Sequence, residues 1–274
     1  MRAAVRSLGS AVVAFSGGVD SALLSRIAAE ELAGRVVLVT AESETYTPAE
    51  SERAKELARA FGAPHIIIAT SEFEDPIFRA NPPDRCYHCK RELFNRLDKI
   101  RKDHGYNFVA DGANADDAGD YRPGERAARE FAVRRPLAEI GMTKEEIREL
   151  AKCLDLPNWD CPAAACLASR IPYGTPIEPD VLKRIARAEA KITEFAGIRQ
   201  VRVRHHGDLA RIEAPPDALA RLAAPELRAS IVEALRALGY HYVTLDLQGY
   251  RMGSMNEVLP IGDGKGTGGG DGHE

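Results

Sequence analysis

The stretch that decides the fold of this chain is Ala11-Val12-Val13-Ala14-Phe15-Ser16-Gly17-Gly18-Val19-Asp20-Ser21. Residues 11–15 are apolar and predict a short buried strand, and the apolar residues of 21–32 recur at helical spacing. Between them, the two glycines let the backbone turn tightly and approach a ligand closely. The free N–H groups at the start of the helix, with the hydroxyls of Ser16 and Ser21, form an anion site. The stretch therefore predicts a strand, a loop that grips pyrophosphate, and a helix.

Asp20 is the acidic residue of this loop. A carboxylate beside phosphates would repel them unless it helps to hold Mg²⁺ or caps the helix. The chain contains no Gly-x-x-x-x-Gly-Lys-Ser/Thr pattern, so the loop differs from the phosphate loop of kinase-like enzymes. The alternative is an ordinary strand–turn–helix junction that uses Ser and Gly for its turn.

Strands and helices alternate through the rest of the first half. Further strands are predicted at 36–39, 65–69 and 108–110, and further helices at 48–61, 91–102 and 143–154. This order predicts an α/β fold with a parallel, doubly wound sheet that carries helices on both faces. The second half predicts a smaller α/β domain, with helices at 180–195 and 216–238, a hairpin at 200–213 and a strand at 242–247.

Four units follow from this pattern. Residues 1–156 form the nucleotide-binding domain, and 157–179, rich in Pro, Cys and Ala, form a linker that carries part of the active site. Residues 180–261 form the C-terminal α/β domain, to which we assign substrate binding and oligomerisation. Residues 262–274 are mostly Gly and Asp and are expected to be disordered.

The overall composition narrows the class of protein. The 274 residues are 45% hydrophobic, which indicates a globular protein. The net charge of −4 lacks the basic surplus of proteins that bind RNA or DNA, so a nucleic-acid substrate is disfavoured. No apolar run approaches the length that crosses a bilayer, and the first residues do not resemble a signal peptide. We expect a cytoplasmic protein with no membrane partner.

A second polar loop, 111–117, follows the strand predicted at 108–110. Ligands of open α/β sheets bind beyond the carboxyl ends of the strands, where this loop and the first one both lie. Asn114 and Asp117 are therefore candidates for contacting ribose or Mg²⁺, with a solvated acidic turn as the alternative. By the same topology, residues 40–43 are expected near adenine or ribose.

The five cysteines allow three interpretations. Cys86 and Cys89 are spaced so that both sulfurs can reach one metal from a single turn. With Cys161 and Cys166 they would form a closed structural zinc site. With Cys166 alone they would hold a [4Fe–4S] cluster that leaves one iron open. The third interpretation is free thiols, with Cys166 reactive.

Two residues near these thiols are not assigned to a metal. Cys153 lies in the helix predicted at 143–154 and is expected in the core. His88, between the paired cysteines, is expected to be a solvated loop residue rather than a ligand.

The hairpin at 200–213 carries an unusual row of arginines. If 206–207 is its turn, Val201 faces Ile212 and Arg202 faces Arg211. Four charged residues then share the face opposite the apolar one: Arg202, Arg204, Arg211 and Glu213. Stacked arginines repel each other unless an anion lies among them. The face is therefore a candidate anion site, with a solvent-facing charged strand as the alternative.

Several motifs, in order along the chain, resemble known families. The loop at 16–21 resembles that of the PP-loop ATP pyrophosphatase superfamily, which cuts ATP between its α and β phosphates. Residues 166–177, Cys-Leu-Ala-Ser-Arg-Ile-Pro-Tyr-Gly-Thr-Pro-Ile, closely resemble the signature of the LarE sulfur transferases, as do 114–117, 135–140 and 202–204. The likeness extends from about residue 8 to about residue 260.

The LarE resemblance implies an enzyme that uses ATP and Mg²⁺ to adenylate the carboxylates of pyridinium-3,5-biscarboxylic acid mononucleotide. Sulfur then replaces oxygen, on the way to the nickel-pincer cofactor. In one branch of the family, the cysteine that matches Cys166 gives up its own sulfur and becomes dehydroalanine. In another branch, cysteines that match Cys86, Cys89 and Cys166 hold an iron–sulfur cluster that supplies the sulfur. This chain resembles the cluster branch, although Cys161 is an additional thiol that would close such a cluster.

The resemblance also points to Arg202 and Arg204 as residues that bind the substrate or its phosphate. Ser169 and Arg170, just after Cys166, are candidates for the same phosphate because of their side-chain chemistry. Glu189 and Glu213 are candidates for a divalent cation. Arg170, four residues after Cys166, could instead lower the pKa of that thiol.

We therefore predict an AMP- and pyrophosphate-forming sulfur transferase that acts on a small nucleotide and assembles as a homo-oligomer. A tRNA thiolase of the same superfamily is one rival, and the missing basic surplus argues against it. An ammonia-dependent amide synthetase is a second rival, which would not need Cys166. A nucleotide sensor with a structural zinc is a third, which would bind ATP without releasing pyrophosphate.

Overall fold

Four parallel strands form the larger sheet in the computed structural model, which describes residues 1–119, 123–162 and 165–259. The sheet has the order β3-β2-β1-β4, with strands at Ala11–Ala14 (β1), Val36–Glu42 (β2), His65–Ala69 (β3) and Phe108–Ala110 (β4). Val12, in the central strand, pairs with Val37 on one side and Val109 on the other. The predicted Gly-rich tail, 262–274, lies outside the described residues.

Helices cover both faces of this sheet. The helices of this half of the chain are α1 (Arg2–Arg6), α2 (Val19–Glu31), α3 (Pro48–Phe61), α4 (Pro76–Arg79), α5 (Arg85–Asp103), α6 (Gly124–Glu130), α7 (Pro136–Glu139) and α8 (Lys144–Cys153). Val13 packs into one core with Leu23 of α2 and Ile147 of α8. Val12 points to the opposite face and packs with Phe94 of α5. The predicted parallel, doubly wound α/β fold is confirmed.

Helix α5 begins at Arg85 rather than at the predicted residue 91. The prediction started late because residues 85–90 are mostly polar and the buried apolar side chains begin at Leu93. Cys86 and Cys89 therefore lie one turn apart on the same side of a helix. His88 is not a solvated loop residue, since its side chain is only 10% exposed.

The smaller sheet has the order β5-β6-β7, with strands at Arg202–His206 (β5), Leu209–Glu213 (β6) and Tyr242–Leu245 (β7). β5 and β6 are antiparallel, and β7 is parallel to β6. The helices of this half are α9 (Pro179–Ala196), α10 (Leu219–Ala223) and α11 (Pro225–Ala237). Ile192 of α9, Ile212 of β6 and Leu235 of α11 share one core. The boundaries of the four units stay a prediction.

The β5–β6 hairpin turns at Gly207 and Asp208, because His206 pairs with Leu209. The predicted register was wrong by two residues, since Ile212 pairs with Val203 rather than Val201. Side chains alternate with a period of two along a strand, so this shift leaves every side chain on the predicted face.

Two further predictions about the helices were wrong. The helix predicted at 216–238 breaks at Ala224, whose ψ of 140° is extended, because Pro225 disfavours a helical residue before it. Cys153 is exposed rather than buried, since it lies six positions after the buried Ile147 and so on another face of α8. Among the described residues, no helix combines the length and apolarity that crossing a membrane requires.

Candidate active site

The loop at 16–21 joins β1 to the first turn of α2. Gly18 caps that helix without a side-chain hydrogen bond, so the first N–H groups of α2 keep no side-chain partner at the cap. The hydroxyls of Ser16 and Ser21 lie 3.1 Å apart, and Ser21 also donates to the Gly18 carbonyl at 3.1 Å. Gly17 has φ of +71°, in the region that favours glycine. This geometry suits an anion at the start of α2.

The second loop lies directly against this helix start. A Cβ atom on Gly112 would come within 2.8 Å of the Ser21 nitrogen and 3.0 Å of the Asp20 carbonyl carbon. Asn158, which was not singled out from the sequence, is buried and donates to the Gly17 carbonyl at 3.0 Å. The two loops predicted at the carboxyl ends of the strands are therefore in contact, and Asn158 secures the first of them.

Asp20 pairs with a lysine that the sequence analysis missed. The Lys144 ammonium lies 2.6 and 2.5 Å from the two carboxylate oxygens of Asp20, and both side chains are partly exposed. Lys144 is the first residue of α8, and its N–H donates to Asp116 of the second loop at 2.8 Å. A cation thus lies beside the loop at 16–21, where it offsets the carboxylate and is within reach of solvent.

Asn114 and Asp117 shape the second loop. The Asn114 N–H donates to the Asp117 carboxylate at 3.1 Å, and the Asn114 side-chain oxygen accepts from the Asp116 N–H at 3.0 Å. These bonds fix the loop conformation. Contact of either residue with ribose or Mg²⁺ stays a prediction.

Three of the five cysteines are brought together. Cys89, on α5, and Cys166 pack against the same apolar cluster. The charge of Cys86, one turn before Cys89, raises the pKa of both of these thiols. Cys161 lies elsewhere, 3.6 Å from the Arg199 guanidinium, which also pairs with Asp160. Among the residues that the structure describes, no three His, Cys, Asp or Glu side chains are placed to hold a single metal ion. The zinc interpretation, which needs Cys161, is therefore not supported.

Burial dominates the electrostatics of the Cys89 and Cys166 thiols. It raises the pKa of the Cys89 thiol well above its ordinary value, and the charges of Cys166 and Glu72 add to the effect. Burial also raises the pKa of the Cys166 thiol, against the opposing charges of Arg85 and Arg170. Arg170 thus favours the thiolate, as the sequence suggested, but burial outweighs it.

Glu72 is a buried carboxylate beside the thiols that the sequence analysis did not find. One of its oxygens accepts from the hydroxyls of Ser43 at 2.6 Å and Thr45 at 3.2 Å. The Thr45 carbonyl in turn accepts from the Leu167 N–H at 3.0 Å. Ser43, expected near adenine or ribose, therefore belongs to a network that reaches the residue after Cys166.

Residues 165–177, which we call the strap, carry Cys166 between the two sheets. Arg170 is buried, and its Nη1 donates to three acceptors within the strap. These are the Ala165 carbonyl at 2.7 Å, the Cys166 carbonyl at 3.2 Å and the Ser169 hydroxyl at 2.9 Å. Its Nε and Nη2 donate to the Glu189 carboxylate at 2.8 and 3.0 Å. Glu189 also accepts from the Val203 N–H at 2.9 Å. Arg170 thus ties the strap to α9 and β5.

The face of β5 and β6 that carries the arginines is buried at Arg202, Arg204 and Glu213, so the solvent-facing alternative was wrong there. The Arg211 side chain, on the same face, is 32% exposed. Arg204 donates to the Ser169 carbonyl at 3.0 Å and to Glu213 at 2.6 Å, and Arg211 lies 3.3 Å from Glu213. The anion among these arginines is therefore Glu213. Arg202 lies over the Tyr250 ring, 5.5 Å from its centroid.

Both carboxylates that were predicted to bind a divalent cation, Glu189 and Glu213, form ion pairs with arginines. Glu189 is engaged by Arg170, and Glu213 by Arg204, so a divalent cation at either residue would have to displace an arginine. Within the part of the chain that the structure describes, the Nε atoms of Arg204 and Arg211 are buried without a hydrogen-bond partner, which leaves two donors available on this face.

Comparisons with known proteins find relatives that match most of this chain. A family model described as asparagine synthase matches residues 1–86, which include the loop at 16–21. An uncharacterized protein of Synechocystis sp. is 43% identical over 92% of this chain and 94% of its own length. An uncharacterized protein of Methanocaldococcus jannaschii is 31% identical over 88% of this chain and 90% of its own length.

One similar protein carries a functional name. The pyridinium-3,5-bisthiocarboxylic acid mononucleotide synthase of Lactiplantibacillus plantarum is 38% identical over 94% of this chain and 92% of its own length. Identity of this extent spans both sheets and the strap between them. The chain therefore belongs to the LarE family of sulfur transferases, ATP-dependent enzymes with a PP-loop fold.

Proposed function

We propose that this chain converts the carboxylates of pyridinium-3,5-biscarboxylic acid mononucleotide to thiocarboxylates at the expense of ATP. The observation that carries the proposal is the cluster of Cys86, Cys89 and Cys166 thiols in a chain that also holds an anion-binding loop at 16–21. The named L. plantarum relative makes the corresponding bisthiocarboxylic acid, which supports the same substrate class.

The first step activates the carboxylate. A carboxylate oxygen of the substrate attacks the α-phosphorus of ATP, the α–β phosphoanhydride bond breaks, and pyrophosphate leaves. The N–H groups at the start of α2 and the hydroxyls of Ser16 and Ser21 would hold the β and γ phosphates. Asp20 would help to hold Mg²⁺, and the Lys144 ammonium would then pair with the phosphates instead of Asp20.

The second step delivers sulfur. The Cys166 thiolate attacks the adenylate carbonyl, and AMP leaves as a thioester forms. Loss of the Cys166 Cα proton with cleavage of its Cβ–S bond then releases the thiocarboxylate and leaves dehydroalanine. This route oxidises no group and needs no further co-reactant. The raised pKa of Cys166 means that the thiol must lose its proton before it attacks.

The same three cysteines fit a [4Fe–4S] cluster in number and in kind. Cys86 and Cys89 on one helical turn, with Cys166 from the strap, would be its ligands and would leave one iron open. When bound, such a cluster would supply sulfide in place of the Cys166 sulfur. Cys161 pairs with Arg199 instead and would not close the cluster.

The substrate phosphate would bind on the face of β5 next to the strap. Arg202 and the free Nε of Arg204 are the donors there, and the Ser169 hydroxyl lies on the same side of the strap as Arg170. Arg170 would act mainly by holding the strap, since its guanidinium already binds Glu189 and three strap acceptors.

A comparison of Cys166→Ser with Cys153→Ser tests this proposal, because Cys153 is an exposed cysteine at the end of α8. Wild type with ATP, Mg²⁺ and the biscarboxylic nucleotide should release AMP and pyrophosphate and form thiocarboxylate. Cys166→Ser should retain pyrophosphate release and lose thiocarboxylate, whereas Cys153→Ser should match wild type. Absence of pyrophosphate release by the wild type would sink the proposal. Thiolation of tRNA, or amide formation with ammonia, would favour a rival instead.

We also propose that the chain forms a homo-oligomer through its C-terminal half. In the described sheet β7 pairs only with β6, and large apolar side chains of β7 and the residues after it are exposed: Tyr242, Leu247 and Met252. Light scattering of the purified chain tests the assembly, and a monomer at micromolar concentration would contradict it.

A further inference from the structure

Asn81 is a fully buried residue that binds the strap. Its φ of +56° lies in the left-handed region, which Asn tolerates better than most residues. Its amide nitrogen donates to three carbonyl oxygens of one turn: Ile171 at 3.4 Å, Pro172 at 2.8 Å and Thr175 at 2.9 Å. The backbone carbonyl of Asn81 also accepts from the Gly174 N–H at 2.9 Å. Asn81 thus holds the turn that follows Cys166 with both its side chain and its backbone.

The other end of the Asn81 amide contacts the helix that carries the paired thiols. Arg85, the buried first residue of α5, donates from Nη1 to the Asn81 oxygen at 2.8 Å. Its guanidinium also lies over the Tyr173 ring of the strap, 4.6 Å from the centroid. Cys86 and Cys89 follow Arg85 within the first turns of α5. A continuous set of contacts therefore joins the Cys166 strap to these two thiols.

We propose that Asn81 and Arg85 are positioning residues that set the distance between the Cys166 sulfur and the thiols of Cys86 and Cys89. The inference rests on the proposed sulfur transfer at Cys166. In the proposed function ATP binds at the start of α2, and neither Asn81 nor Arg85 is part of that segment. Disturbing the pair should therefore separate the two steps: adenylation continues, and sulfur delivery slows.

Asn81→Asp is the sharpest variant. It preserves the size of the side chain, its tolerance of the left-handed backbone and the oxygen that binds Arg85, but it replaces the donor by an oxygen that repels three carbonyls. In a single turnover, thiocarboxylate formation should fall about 10- to 100-fold, because a misplacement of about 1 Å has effects of that size. The burst of pyrophosphate should stay within about twofold of wild type on the same argument. Asp155→Asn, an exposed left-handed position, is the control and should change neither.

A second readout needs no substrate. In chelator-treated protein, copper–phenanthroline oxidation should link Cys89 to Cys166, and peptide mass spectrometry gives the rate. Asn81→Asp and Arg85→Lys should each slow this disulfide at least about threefold while the unfolding midpoint shows a folded protein. Lysine keeps the charge beside Cys166 but not the planar guanidinium that binds Asn81 and covers the Tyr173 ring. If Asn81→Asp does not fold, Arg85→Lys alone decides.

Wild-type rates of both disulfide formation and sulfur transfer in a folded variant would overturn the positioning role. A wild-type protein that releases no pyrophosphate would instead refute the proposed function, and the disulfide comparison would still decide the role of Asn81 and Arg85.

Discussion

Replacing Glu189 by glutamine tests whether its buried pair with Arg170 holds the strap. The Glu189 carboxylate accepts three hydrogen bonds, two from Arg170 at 2.8 and 3.0 Å and one from the Val203 N–H at 2.9 Å. Two of these go to the same oxygen, Oε1, so the single oxygen of glutamine can keep both. The glutamine amide would then face the Arg170 Nη2, donor against donor. Arg170, whose side chain is only 4% exposed, would keep its charge without a neutralising partner.

The expected cost follows from this geometry. The lost bond is charge-assisted, which is worth about 1.5–3 kcal/mol. Breaking a fully buried ion pair costs about 3–5 kcal/mol, but the Glu189 side chain is 15% exposed, so water offsets part of that amount. We expect the free energy of unfolding to fall by about 2–3 kcal/mol. The free energy of unfolding of native proteins is about 5–15 kcal/mol, so the variant should still fold.

Urea denaturation measures this cost, and the same helix supplies a control. Glu194, also on α9, pairs with Lys191 at 2.8 Å, and its side chain is 61% exposed. Glu194→Gln should therefore cost less than about 1 kcal/mol. The midpoint of Glu189→Gln should shift at an unchanged denaturant slope. If the two variants shift the midpoint equally, the Arg170–Glu189 pair does not hold the strap, and the reasoning is refuted.

Three other predictions concern the nucleotide site and acid stability. Gly112→Ala should weaken ATP binding in calorimetry by at least about tenfold, because the added methyl group would clash with the first turn of α2. Gly124→Ala is the control and should not weaken it, because the methyl group there contacts mainly the flexible side chain of Lys90. Lys144→Met should slow pyrophosphate release about tenfold or more, because it leaves a carboxylate unneutralised beside the phosphates; the exposed Lys191→Met should not. Burial lowers the pKa of His65, so its contribution to stability is present above its ordinary pKa of about 6.5 and is lost as the pH falls. Urea midpoints should therefore drop between about pH 7 and pH 5, and less steeply in His65→Gln.

Local patterns in the sequence predicted much of the fold. Helix α3 has the predicted bounds, Pro48–Phe61, because Pro48 and a capping box at Thr47 fix its start within four residues. The helix predicted at 143–154 is also confirmed, as α8, because a capping box of Thr143 with Glu146 fixes its start. The central strand and the loop after it were also identified, since glycines and an apolar run define them without distant contacts.

The partners within the site could not be predicted, because they are distant in sequence. Lys144 and Asp20 are 124 positions apart, and no local pattern links them. Arg170 and Arg204 carry the positive charge expected of residues that bind phosphate. Charge alone does not predict that they form ion pairs with Glu189 and Glu213 inside the protein. Their pairing depends on how α9 and β6 pack against the strap, which is a tertiary property.

The strap has a consequence for dissecting this protein into parts. Its anchors come from both sides: Thr45 and Asn81 from the first half of the chain, and Glu189 and Arg204 from the second. A chain cut after residue 156 would yield one fragment with the loop at 16–21 and another with Cys166 and the strap, which would then lack its anchors Thr45 and Asn81. Sulfur delivery should then return only when the two fragments are mixed and associate.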